Sequence, residues 1–180
     1  MKKAFPTMLT TVVAILMFSV ATSPVMATTV THAMYAGSPH YYTPWWWENK
    51  MKVGEVWIWN DGDYLYVKYI TTYFGDWELT ETHLAVAEYF ADIPQTKSGN
   101  PKVGNFPYKM MHDPPVTEYT YMIPLTWAPG TILYIAAHAI VQKPMGCGVY
   151  QEETAWADCG GPNAYFQGNN WATYFTYTVQ

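Results

Sequence analysis

The run Asn60-Asp61-Gly62-Asp63 places an amide and two carboxylates on four consecutive residues. Calcium takes about six to eight oxygen ligands, so a turn of this composition can supply part of its coordination shell. The alternative is an ordinary hairpin turn, because the run lacks the twelve-residue spacing and final Glu of an EF-hand. Carboxylates on a later Gly-rich stretch can complete such a shell from a second loop. We therefore predict calcium as a cofactor, with the candidate ligands Asp61, Asp63, Glu152 and Asp158.

A second group of polar residues lies inside or beside apolar runs: Glu81, His83, His138 and Glu153. One interpretation is a His/carboxylate site for catalysis or for a transition metal. The other, which we favour, is a buried network that fixes strand register, since buried polar groups must find hydrogen bonds. The chain has no nucleophile motif, no His-Glu-x-x-His and no Gly-rich phosphate loop. We expect no catalytic residues and no enzymatic activity.

Tryptophans cluster in two places, at 45–47 and at Trp57 and Trp59. Strand alternation places Trp57 and Trp59 on one face and Val56 and Ile58 on the other. If Val56 and Ile58 face the core, the two indoles point outward. Outward aromatic rings can stack on sugars or anchor a protein interface, whereas inward rings are simply packing.

The chain contains two cysteines, Cys147 and Cys159. In an oxidising compartment the simplest interpretation of such a pair is one disulfide. Two free thiols, or half of a metal site, are the alternatives. We predict a Cys147–Cys159 bridge.

The elements that position these residues read as strands. β-rich runs cover 53–59 and 64–72 around the Asp-Gly turn, which is a hairpin signal. Pro- and Gly-rich stretches at 91–115 and 144–170 indicate two long loops. The absence of any confident helix predicts an all-β fold, an antiparallel two-sheet sandwich of jelly-roll type. The predicted strands are 53–59, 64–72, 77–90, 116–123, 131–142 and 171–179.

The N-terminal residues 1–27 have the layout of a secretory signal peptide. Lys2 and Lys3 precede an apolar run that ends in small residues at Ala27. This run is shorter than the roughly 20 residues that span a bilayer, although an uncleaved anchor is the alternative. Residues 28–50 predict an N-terminal arm, a weak strand followed by a loop, and residues 51–180 a single domain. We expect a secreted protein at the cell surface or outside the cell.

Charge excludes several partners. The 180-residue chain has a net charge of −5 and contains 9 basic residues, all of them Lys. Loss of the signal peptide removes Lys2 and Lys3 but no carboxylate, so the mature charge becomes −7. Nucleic-acid binding requires clustered cations, and base readout favours Arg. We therefore expect no nucleic-acid partner and, after cleavage, no membrane partner.

Several phrases in order resemble a secreted β-sandwich module of archaeal and bacterial surface proteins. The phrases lie at 56–67, 77–84, 106–109, 133–139, 153–157 and 171–175. More narrowly, the chain is similar to the cannula-type subunits that build extracellular tubes in hyperthermophilic archaea. That resemblance implies a jelly-roll-like sandwich, calcium-dependent assembly and an N-terminal strand passed to a neighbouring subunit.

These inferences converge on a secreted structural subunit that self-assembles into an extracellular filament or tube. Its partner is then a second copy of itself, contacted through the arm 28–36 and through calcium. We expect deletion of 28–36 to leave a folded protein that no longer polymerises. The alternative function is an extracellular carbohydrate-binding module, whose partner is a glycan.

Overall fold

The computed structural model describes residues 27–37, 50–158 and 164–180. Within these ranges the protein is all-β, with single 3₁₀ turns at Phe90–Asp92 and Val103–Asn105. The predicted signal peptide, apart from Ala27, lies outside the described residues, as do Trp45–Trp47. The strands are β1 Val30–Ala36, β2 Met51–Asn60, β3 Tyr64–Ile70, β4 Glu78–Ala87, β5 Tyr108–Val116, β6 Glu118–Pro124, β7 Ile132–Gly146, β8 Val149–Asp158 and β9 Phe175–Thr178.

The nine strands form one continuous antiparallel sheet in the order β5-β4-β7-β8-β1-β2-β3-β6, with β9 paired to the first residues of β7. The two end strands, β5 and β6, are separated in sequence by Thr117 alone. The sheet therefore curls until its ends approach, and the shape is nearly a barrel. The predicted antiparallel all-β class is confirmed, but the division into two sheets is not.

The six strands predicted from the sequence are all present, with shifted ends. The two predicted long loops are wrong in part, because β5 lies in the first and β8 in the second. Strand β5 carries Pro114 and Pro115 and forms an end of the sheet, where a missing N–H costs no ladder hydrogen bond. Strand β8 pairs with β7 across Cys147 and Gly148, which have φ angles of 52° and 76°. Positive φ at both central residues is the signature of a type I′ hairpin turn.

Alternating residues of the strands fill the interior. Val56, Ile58, Leu65 and Val67 are fully buried there. Tyr69 and Tyr121 reach across this interior from β3 and β6 to β4. The Tyr69 hydroxyl donates to the His83 carbonyl at 2.9 Å, and the Tyr121 hydroxyl lies 2.9 Å from Thr82 Oγ1. These bonds tie together strands from opposite halves of the sheet.

A bulge in β4 changes which residues share a face. Its register against β5 and β7 shifts between Leu79 and Glu81, so Thr80 is the extra residue. Leu79 therefore lies inside with Thr82 and Leu84, while Glu81 and His83 lie outside. Strict alternation along 77–90 would place Leu79 on the same face as Glu81 and His83, and the bulge is the reason that Leu79 faces inward instead.

One part of the outer surface is covered by chain that follows β4 and precedes β9. We call the outer side of β4, β7 and β8, beneath segments 88–107 and 164–174, the covered face. A second apolar cluster forms there, and small strand residues let the segments approach closely. Its buried members are Ala85, Ile93, Phe106, Ala136, Trp156, Phe166 and Ala172.

Candidate functional site

Strand β1 occupies a slot in the middle of the sheet. It pairs antiparallel with β2 from Val30 to Ala36, and with β8 from Ala33 to Ala36. The arm predicted at 28–50 therefore contributes a strand to its own barrel. The connection from β1 to β2 comprises the 14 residues 37–50, yet its ends Ala36 and Met51 are paired directly. Residues 38–49 of it lie outside the described ranges.

The inner side of β1 contributes to the barrel core. Met34 and Ala36 are fully buried, and Met34 lies over Gly54 on β2. A Cβ at Gly54 would lie 2.6 Å from Met34 Cε and 2.5 Å from the Ile70 carbonyl oxygen. The absence of a side chain at Gly54 thus leaves the space that the Met34 side chain fills. The slot between β2 and β8 is therefore complementary in shape to β1.

His32 also faces inward from β1, and its ring stacks on Phe175 with centroids 3.9 Å apart. Burial lowers the pKa of His32, although the charge of Asp158 acts in the opposite direction. The neutral ring packs face to face on Phe175, and its Nε2 is buried without a hydrogen-bond partner among the described residues. His32 therefore joins Met34 and Ala36 in attaching β1 to the core.

A buried ion pair crosses the outer side of the slot. Lys50 Nζ lies 2.9 Å from Asp158 Oδ2, with side chains 3% and 4% exposed, and it donates to the Tyr165 hydroxyl at 3.1 Å. Lys50 directly precedes β2 and Asp158 ends β8, so the pair joins the two strands that flank β1. The ammonium lies 5.6 Å from the ring centroid of Tyr35 on β1. We call Lys50, Asp158 and Tyr165 the strap.

The strap also sets the protonation of Lys50. Burial acts to lower the pKa of Lys50, but the hydrogen bonds and charges of Asp158 and Tyr165 outweigh it, and the pKa is raised. Lys50 thus stays charged within the pair. Asp158, a predicted calcium ligand, is instead the carboxylate partner of this lysine.

The other predicted calcium ligands do not come together. Asp61 stabilises the β2–β3 turn, because its Oδ1 accepts from the backbone N–H groups of Asp63 and Tyr64, and its Oδ2 accepts from the Tyr66 hydroxyl. The Tyr66 hydrogen bond, followed by those of the backbone, lowers the pKa of Asp61. Glu152 is exposed on β8, about 20 Å along the strand from Asp158. Among the described residues no group of three or more His, Cys, Asp or Glu side chains could hold a metal.

Three of the four polar residues predicted as a network do meet. His83 and His138 are cross-strand partners on the covered face, with their Nδ1 atoms 3.4 Å apart, and Glu81 Oε2 lies 3.6 Å from His83 Nε2. Trp156 packs against His138 with ring centroids 4.7 Å apart. Glu153 is separate, bonded instead to Gln151.

The electrostatics of this pair favour a structural role. Burial, and then the neighbouring His83, lower the pKa of His138 to about 3. Burial also lowers the pKa of His83, with Glu81 opposing this effect and Lys109 adding to it. Both rings are thus held neutral, and the arrangement is a hydrogen bond between neutral imidazoles beneath a cover. These contacts support the interpretation as a network that fixes strand register.

The outer side of β2 and β3 carries a group of aromatic rings. We call this side, with Trp57, Trp59, Tyr64, Tyr66 and Lys68, the open face. Val56 and Ile58 are buried inside, so the conditional prediction that Trp57 and Trp59 point outward is confirmed. Trp59 stacks on Tyr66 with centroids 5.0 Å apart and planes 5° apart. Sequence alternation located the two indoles, but the tyrosines of β3 were missed.

Cys147 is exposed in the β7–β8 turn and is free, and Cys159 lies outside the described residues. The predicted Cys147–Cys159 bridge therefore stays a prediction.

Comparisons with protein-family models, with curated proteins and with solved structures found no match. The resemblance to cannula-type subunits therefore stays a prediction. Among the described residues no helix is long and apolar enough to cross a membrane. The case for function consequently rests on the β1 slot, its strap and the open face.

Proposed function

We propose that the protein is a secreted structural subunit that self-assembles into an extracellular filament or tube by exchanging β1 between copies. One observation carries the proposal: β1 completes the sheet between β2 and β8 but is attached only through the 14-residue connection 37–50. Fully extended, this connection reaches about 46 Å. Its ends are directly paired in one chain, and a connection of this length is long enough to reach the slot of a neighbouring copy.

Exchange preserves every pair that β1 makes. The slot of a second copy offers the same residues of β2 and β8, the same space over Gly54 and the same Phe175 surface for His32. The energetic cost of exchange is therefore confined to the connection and to the loss of translational freedom. If each copy donates β1 to one neighbour and accepts β1 from a different neighbour, the contact is head-to-tail and propagates, whereas reciprocal exchange between two copies closes as a dimer.

The strap controls whether β1 can leave. Lys50 lies across Tyr35 and holds β2 to β8, so this ion pair must open before the strand is released. Separating the pair leaves two charges without their partners in a poorly solvated place, which is costly. The monomer with β1 in its own slot is thus the form that accumulates before assembly. Assembly requires a factor that favours release of β1 from the slot.

Calcium is our candidate for that factor, acting between copies. Asp63 and Glu152 are exposed carboxylates, and the mature chain has a net charge of −7. A divalent cation bridging carboxylates of neighbouring subunits reduces their repulsion and stabilises the assembled form by mass action.

The proposal is tested with the mature chain and a synthetic peptide of residues 28–37. We expect electron microscopy to show filaments or tubes in millimolar calcium, and the peptide to shorten them by occupying end slots. The matched control is the same peptide with Met34→Asp, which cannot bury its side chain over Gly54. Absence of assembly at every calcium concentration, or equal inhibition by both peptides, contradicts the proposal.

A further inference from the structure

The open face is a surface distinct from the β1 slot. Trp57, Trp59 and Tyr66 are partly exposed, Tyr64 is 38% exposed, and none of the four belongs to either apolar cluster. A contiguous group of aromatic rings that reach the surface is typical of a binding site. The location of these rings does not by itself identify the ligand that they bind.

The rings are held in place before any ligand arrives. Trp57 Nε1 donates to Glu55 at 2.9 Å, and the Tyr66 hydroxyl donates to Asp61 at 2.7 Å. The Trp59–Tyr66 stack fixes a further pair. Side chains that are already ordered lose little conformational entropy on binding, so the face is preorganised.

The polar groups around the rings select the chemistry of the occupant. Carboxylates of Glu55, Asp61 and Glu118 and the ammonium of Lys68 border the aromatic row, and Lys68 pairs with Glu118 at 2.6 Å. On β2, β3, their turn and the first residue of β6, the two lysines 52 and 68 are outnumbered by the four acidic residues 55, 61, 63 and 118. The local charge is therefore negative and disfavours an anionic polymer.

We propose that the open face binds a neutral polysaccharide. The C–H faces of pyranose rings match the apolar aromatic surface, and sugar hydroxyls match the carboxylates and the ammonium beside it. Trp57 and Trp59 are two residues apart on β2, so their Cα atoms are about 6.7 Å apart, comparable to one sugar ring. Binding of this kind needs no assembly and takes place on the monomer.

Native-gel affinity electrophoresis of calcium-free monomer tests this binding. The neutral probes are hydroxyethylcellulose, xyloglucan and galactomannan, and the anionic probe is polygalacturonate. We expect retardation by at least one neutral polymer and none by polygalacturonate. Trp57→Ala and Trp59→Ala should each weaken binding at least tenfold, while Tyr89→Ala, an exposed tyrosine on the other side of the barrel, leaves it unchanged.

Tyr64→Ala keeps the test valid if a tryptophan variant fails to fold, because Tyr64 is the most exposed ring of the set. It should weaken binding severalfold with an unchanged melting temperature. The proposal is overturned if no neutral polymer retards the monomer, or if the anionic polymer alone does. It is also overturned if the wild type dimerises and Trp59→Ala abolishes dimerisation without affecting migration in the polysaccharides, since the face then belongs to a second copy.

Discussion

The covered face and the open face lie on the same curled sheet and both carry tryptophan, yet within the described residues only the covered face has further segments packed on it. Trp156 on the covered face is 5% exposed beneath segments 88–107 and 164–174. Trp59 on the open face has Tyr66 beside it and belongs to neither apolar cluster. The small side chains of Ala85 and Ala136 let segments 88–107 and 164–174 pack closely on the covered face. The strands of the open face carry large aromatic rings at outward positions. The same sheet thus buries one tryptophan beneath later segments of the chain and leaves another beside a tyrosine at its outer surface.

The difference in cover predicts the largest contrast in stability. Trp156→Ala removes a ring packed against His138, Phe106 and Phe166, and we expect it to lower the free energy of unfolding by about 3–5 kcal/mol. Trp59→Ala loses a surface stack, and should cost about 1 kcal/mol. Urea titration of both variants measures the two values. Equal losses would show that the faces are packed alike.

Ion pairs give the second contrast. Lys50→Met leaves Asp158 buried without its lysine, and we expect a loss of about 3–5 kcal/mol. Lys68→Met breaks the Lys68–Glu118 pair, whose side chains are 25% and 43% exposed, and should cost about 0–1 kcal/mol. The double variant Lys50→Met/Asp158→Asn should recover much of the first loss. A single Lys50→Met variant as stable as wild type would contradict the role given to the strap.

Acid distinguishes the faces through His138. Its pKa in the folded protein is about 3, below the ordinary 6.5, so the unfolded chain binds a proton that the folded chain does not. Stability contributed by neutral His138 is therefore present above pH 6.5 and is lost as the pH falls toward 3. We expect a decline of a few kcal/mol across this window, measured by urea titration at each pH.

His138→Gln should flatten that pH dependence, even though it lowers stability at neutral pH. The control is His112→Gln, because His112 is less buried and burial lowers its pKa less strongly. A pH profile that keeps its slope in His138→Gln would assign the acid sensitivity to other groups.

The smallest expected effect concerns the turn at the end of the open face. Asp61→Asn weakens the acceptor of two backbone N–H groups and of the Tyr66 hydroxyl, so the melting temperature should fall by a measurable amount. Asp63→Asn is the matched control, and it should leave the melting temperature close to wild type. The reverse order would mean that Asp63 stabilises the turn.

Much of the sheet could be predicted because period-two alternation is local. Alternation placed Trp57 and Trp59 on the face opposite Val56 and Ile58, and the burial of Val56 and Ile58 then decides that the indoles point outward. Strands β5 and β8 were not predicted. Their sequences contain prolines or many polar residues, and their strand conformation depends on pairing with residues distant in sequence. The bulge at Thr80 is likewise set by the register with β5 and β7.

The candidate site was less predictable than the fold. Carboxylates close together in sequence, such as Asp61 and Asp63, indicated a metal site. In the structure the Asp61 carboxylate accepts hydrogen bonds from the backbone of the β2–β3 turn and from Tyr66. The Lys50–Asp158 pair joins residues 108 positions apart, and no local pattern points to it. The predicted survival of a 28–36 deletion stays a prediction, and the burial of Met34 and Ala36 means that the deletion also removes core side chains.

The most direct test of β1 exchange locks the strand in its own slot. Ala33 and Glu55 are cross-strand partners, at a Cα separation of about 4.5–5.5 Å that suits a disulfide. The variant Ala33→Cys/Glu55→Cys, made with Cys147→Ser and Cys159→Ser, is oxidised as a calcium-free monomer and its mass confirmed. We predict by electron microscopy that it stays monomeric in millimolar calcium until reductant is added, and then assembles. Assembly of the oxidised variant to the same extent as the reduced one would contradict the account.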